Sequence, residues 1–131
     1  MRLRAAIAAT ATLGLAIAAY LTVVHYAHTS PICSTGGCEQ VQRSSYAKLG
    51  GVPVALLGLL AYAAIIATTA RRGVEVALAG AVIALAGAGF SAYLLWAQIA
   101  RIHAICQWCI GSDVVMGCLV VLCAWRLLRE P

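Results

Sequence analysis

The chain has 131 residues, 63% of them hydrophobic and only 10% charged, with a formal net charge of +5. Its mean hydropathy is +0.95. That balance excludes an ordinary soluble domain, which carries far more charge. No basic patch is interleaved with aromatics, so nothing calls for a nucleic-acid partner.

The apolar residues come in long runs rather than at amphipathic spacing, which predicts membrane spans. Four runs qualify: residues 5–27, 52–70, 76–97 and 104–125. Each reaches the ~20 residues that a helix needs to cross a bilayer core. The expected fold is an all-α integral membrane protein. It is a four-transmembrane-helix bundle with a long extracytoplasmic loop between helices one and two. The first run follows Met1-Arg2-Leu3-Arg4 and is longer than the core of a cleaved signal, so a retained span is expected.

The loop after the first span carries turn signals at Ser30-Pro31 and Gly36-Gly37. It holds Cys33 and Cys38, whose intervening glycines leave the pair able to open, close and re-aim. Residues 39–48 are expected to form a short surface helix. Gly50-Gly51-Val52-Pro53 closes the loop, with Pro53 expected in the first turn of the second span. A loop this long in a compact bundle is usually functional.

Spans two and three are joined by a few residues around Arg71 and Arg72, so they are antiparallel neighbours. Span three is rich in small residues, including Gly80, Ala84, Gly87 and Gly89, which allow close packing in lipid. Span four opens with Cys106-Gln107-Trp108-Cys109. On a helix this spacing puts both sulfurs on one face. A helix N-terminus also favours a thiolate, the attacking species in disulfide exchange. A redox pair, a metal clip and a static disulfide all use this motif.

Asp113 must lie inside span four, because too few apolar residues follow it to cross. It falls four residues after Cys109, on the same helical face. Intramembrane carboxylates are functional candidates by default. Three roles fit: proton relay, a hydrogen bond to a ligand oxygen, or a shallow carboxylate satisfied by Arg101, His103 or water. Cys118 and Cys123 lie deeper and read as small packing residues. Tyr26, Tyr46, Trp96 and Trp108 suit an outer aromatic belt, and His25, His28 and His103 suit the same rim.

Charge sets the orientation. Arg2, Arg4, Arg71, Arg72, Arg126 and Arg129 fall on one side, and Arg43, Lys48 and Arg101 on the other. The richer side is cytoplasmic by the positive-inside rule. A multi-pass protein of the plasma or inner membrane is expected, with both termini cytoplasmic and both cysteine pairs on the oxidising, extracytoplasmic face. Two dithiols that can meet there can relay an electron pair through a mixed disulfide.

The combined pattern is more specific than either dithiol. Cys33-Ser34-Thr35-Gly36-Gly37-Cys38-Glu39-Gln40-Val41, then Ser44-Ser45-Tyr46-Ala47, then Gly51-Val52-Pro53-Val54-Ala55-Leu56-Leu57-Gly58, with the late Cys106 and Cys109, resembles the vitamin K epoxide reductase family. The bacterial members are the nearer match. The resemblance implies a four-helix bundle around a quinone, menaquinone or ubiquinone, with catalysis at the outer face. It assigns Cys106 and Cys109 as the active-site pair, Cys109 facing the quinone and Cys106 exchanging with the loop. It makes Cys33 and Cys38 the shuttle, with Cys38 joining Cys106 and Cys33 meeting the external partner. It places the family's loop hydroxyl at Ser44, with Ser45 adjacent and a helix cap the plainer role. Trp108 is a candidate cover for the quinone and Asp113 a candidate quinone contact, although animal members have tyrosine at the Asp113 position.

The resemblance further implies a thiol–disulfide oxidoreductase. Such an enzyme reoxidises an extracytoplasmic, thioredoxin-fold, DsbA-type partner and so supports disulfide bond formation. The chain reads as a single domain, 1–131, with no fused thioredoxin domain, so the partner is expected to be separate. Two other classes compete: a membrane metal-thiolate carrier, and a structural membrane subunit braced by disulfides.

Overall fold

A computed structural model describes residues 2–27, 48–49, 52–102 and 107–129. Helix α1 runs Arg2–Tyr26. Strand β1, Lys48–Leu49, pairs antiparallel with β2, Val52–Pro53, in the register Lys48↔Pro53 and Leu49↔Val52. Helix α2 spans Val54–Thr68 and α3 spans Val74–Ala97. A π-helical turn, Gln98–Ile102, continues α3. Helix α4 covers Gln107–Arg129.

The helices form a ring in chain order: α1 packs on α2 and α4, and α3 packs on α2 and α4. Their directions follow from two contacts at opposite ends. Arg4 near the start of α1 donates to the Thr69 carbonyl just past α2, at 2.9 Å. Tyr20 late in α1 meets Trp108 at the start of α4, with ring centroids 5.0 Å apart. Neighbouring helices are therefore antiparallel. Gly73, with φ 131°, turns the chain from α2 into α3, in a region of backbone space that side chains rarely enter.

The bundle interior is assembled from Ile7, Ala11 and Ala18 of α1, Tyr62 and Ile65 of α2, Ala84 of α3, and Val115, Met116, Leu119 and Cys123 of α4. Close approach is built in at two glycines. Any Cβ at Gly14 would collide with the Tyr62 ring, and one at Gly87 would lie 2.7 Å from Met116 Cε. Gly80 and Ala84 are buried as packing residues should be, whereas Gly89 is exposed. The outer surface carries large apolar side chains, among them Leu13, Leu60, Leu78, Leu85, Val114 and Val121. An apolar exterior of this extent suits lipid as the solvent. Thr12 is exposed and Thr10 half-buried, and each hydroxyl is satisfied by the carbonyl four residues back, at 2.8 Å for Thr10 and 2.7 Å for Thr12.

Three helical segments are long and apolar enough to cross a membrane: Arg2–Val24, Val74–Arg101 and Gln107–Arg129. The expected second span, 52–70, is instead a 15-residue helix. Its start is lost because Val52 and Pro53 pair with β1. Its end is lost because the chain turns at Thr69 and Ala70, whose backbone N–H groups bond three residues back. Pro53 thus precedes α2 rather than sitting in its first turn, and Lys48 is in a strand rather than a surface helix. The expected third span extends to Ile102 through the π turn. The rest of the long loop, with Cys33, Cys38, Ser44, Ser45 and Tyr46, lies outside the described residues.

Candidate functional site

The first two turns of α4 carry the described part of the site. Trp108 and Cys109 are half-buried, and Trp108 packs on Tyr20 of α1 at an interplanar angle of 56°. Gly111 faces the same helix, where an added Cβ would meet Ile17 Cδ1 at 3.7 Å. One turn below Trp108 is Ser112, and one turn below Cys109 is Asp113, as i, i+4 spacing requires.

Ser112 and Asp113 each have a partner that the sequence did not suggest. The Tyr62 hydroxyl, fully buried on α2, reaches the Ser112 carbonyl at 2.9 Å and the Ser112 Oγ at 2.7 Å. Ser91 of α3 hydrogen-bonds the Asp113 side chain. Asp113 Oδ2 is buried with no hydrogen-bond partner. Two helices, α2 and α3, thus converge on adjacent residues of α4. Arg101, one of the proposed partners of a shallow Asp113, is exposed and lies over the Trp96 ring, 5.4 Å from its centroid. His103, the other, is outside the described residues, as is Cys106.

The deeper thiols separate. Cys123 is a packing residue, only 2% exposed. Cys118 points outward from the bundle instead of packing inside it, because its position on α4 falls on the lipid-facing side beside Val114 and Val121. Tyr26 and Trp96 are exposed near the same end as Trp108, in keeping with an aromatic rim. Tyr93 extends that rim, its ring 6.1 Å from that of Trp96.

Three helices of spanning length and an apolar exterior define an integral membrane protein, with a cysteine one turn above a half-buried carboxyl near one end of its bundle. The model of the vitamin K epoxide reductase family matches residues 5–124. The chain belongs to that family, and with it to the membrane oxidoreductases.

Proposed function

We propose that the protein is a quinone-dependent thiol oxidase of the cell envelope. It takes electron pairs from a thioredoxin-fold, disulfide-introducing partner and passes them to a membrane quinone. The observation that carries this reading is Cys109, held in the first turn of α4, one turn above a carboxyl with a buried oxygen that lacks a partner. The family membership supports it.

The residues fit a quinone. The Trp108–Tyr20 pair offers an aromatic wall, and Asp113 Oδ2 is a polar atom still in need of a hydrogen-bond partner. A bound quinone would supply a two-electron acceptor. Cys33 exchanges with the external thiol partner, and Cys38 passes the electron pair inward to Cys106 through a mixed disulfide. Cys106 and Cys109 then close to a disulfide as their electrons leave. Ser44 orients the acceptor from the loop, and Trp108 covers it. The direction follows from potential: for this two-electron couple about 30 mV is worth ~1.4 kcal/mol. A strongly oxidising partner therefore needs a still more oxidising final acceptor, which suits a lipid-soluble quinone.

In this reading residues 1–131 act as one domain, and α2 crosses the bilayer despite its length. Both termini are cytoplasmic and both dithiols extracytoplasmic, as the arginine bias supports. The test is anaerobic quinone-absorbance kinetics with a reduced thioredoxin-fold partner. Cys109→Ala should abolish turnover. Turnover at the wild-type rate in that variant sinks the assignment.

A further inference from the structure

The polar cluster below Cys109 is more ordered than thiol exchange alone requires. Ser91 engages the Asp113 carboxyl from α3. From α2, Tyr62 pins the neighbouring Ser112 through both its carbonyl and its hydroxyl. That leaves Asp113 Oδ2 buried and without a partner. A carboxylate oxygen desolvated in this way is costly, and a proton on it removes the cost by neutralising the group. The chemistry of the acceptor points the same way. Quinone oxygens accept hydrogen bonds, and an ionised carboxyl only accepts. The two can meet productively only through a proton.

We propose that Asp113 is a proton donor in the reaction, with its acidic proton on Oδ2 and its other oxygen held by Ser91. The inference rests on the quinone reading above. Closing a dithiol to a disulfide releases two electrons and two protons, and reducing a quinone to a quinol consumes two of each. Asp113 gives its proton to an acceptor oxygen. Its carboxylate then takes up one of the two protons released as the dithiol closes to a disulfide, and the other protonates the second quinone oxygen. One dithiol and one quinone enter, one disulfide and one quinol leave, and Asp113 ends as it began. Ser91 is a positioning residue: by engaging one oxygen it fixes which one carries the proton. The Tyr62–Ser112 pair holds the α4 turn that presents it.

Infrared difference spectroscopy of quinone-free protein in lipid vesicles at neutral pH reads the proton directly. The wild type should show a carboxylic-acid C=O band that shifts in D2O, disappears in Asp113→Asn and changes frequency in Ser91→Ala. A wild type without that band, or an Asp113→Asn variant that retains it, overturns the proposal. Kinetics with a short-chain ubiquinone form the second arm. Asp113→Asn should lower kcat about 100-fold with KM little changed, within the usual range for general acid catalysis. Asp113→Ala should recover part of that loss when formate is added. A wild-type kcat in Asp113→Asn overturns the donor role. Cys109→Ala run alongside separates the two claims. Turnover in Cys109→Ala removes the thiol assignment, whereas the infrared band, measured without quinone, still decides Asp113.

Discussion

Tyr62 lies against Gly14 with no room for a methyl group between them. Its ring fills the bundle centre while its hydroxyl reaches across to Ser112. Gly14→Ala forces the ring or α1 to shift, and overpacking of this kind typically costs about 1–3 kcal/mol. Thermal unfolding in detergent should show a lower midpoint for Gly14→Ala. Gly89→Ala, on the exposed face of α3 with nothing within 4 Å, should unfold at or slightly above the wild-type midpoint. Asp113 was legible from the sequence because counting apolar residues past it forces it into the helix, and the i+4 spacing puts it under Cys109. Ser91 and Tyr62 were not legible. Each is a lone polar residue in an apolar run, and its partner depends on how α2 and α3 rotate against α4. The one local hint was the adjacent pair Ser112-Asp113, two polar residues together inside a span. The cysteine pairing was legible only as a pattern, since Cys33, Cys38 and Cys106 fall outside the described residues.

Helix α2 shows what hydropathy counting misses. Residues 52–70 are apolar enough to count as a span, but composition does not register that Val52 and Pro53 pair as a strand. Nor does it register that the Thr68 and Thr69 hydroxyls bond the Ile65 and Ile66 carbonyls, both at 2.6 Å, as the helix ends. The carbonyls beyond are taken by arginines from other helices. Arg4 donates to Thr69. Arg126, 3% exposed, donates to the Thr68 carbonyl at 2.9 Å and the Arg71 carbonyl at 2.6 Å. Hence Arg126, which the sequence marked only as a topology charge, also caps a helix C-terminus. Arg126→Met leaves those two carbonyls without this donor and should destabilise the fold by about 3–6 kcal/mol, at roughly 1.5–3 kcal/mol for each lost bond to a charged group. Arg129→Met removes only an exposed guanidinium 4.8 Å from the Trp125 ring and should cost under about 1 kcal/mol. Reversible unfolding in mixed micelles compares the two.

For the whole molecule, the family and the helical bundle were legible because both rest on long-range patterns: runs of apolar residues and fixed spacings around cysteines. The ring order α1–α2–α3–α4 was legible only where a connection is short, as between α2 and α3. The α1–α4 contact through Tyr20 and Trp108 is tertiary and left no mark in the sequence. The arginines of Arg4, Arg71 and Arg126 gather at the end opposite Trp108, which is the arrangement that the positive-inside rule requires of an end kept in the cytoplasm. A reporter that works only in the cytoplasm should be active when fused after Arg129, and one that works only outside should be inactive there. The reverse result would invert the orientation. The short helix has one more consequence. α2 rises about 22 Å, whereas the 25 residues of α1 rise about 37 Å. Where α2 crosses the bilayer as proposed, lipid beside it meets a lower apolar wall than lipid elsewhere around the ring, and the bilayer dimples there to meet it. The protein becomes a gauge of membrane thickness: its thermal stability should be highest in short-chain phosphatidylcholines and decline as the acyl chains lengthen.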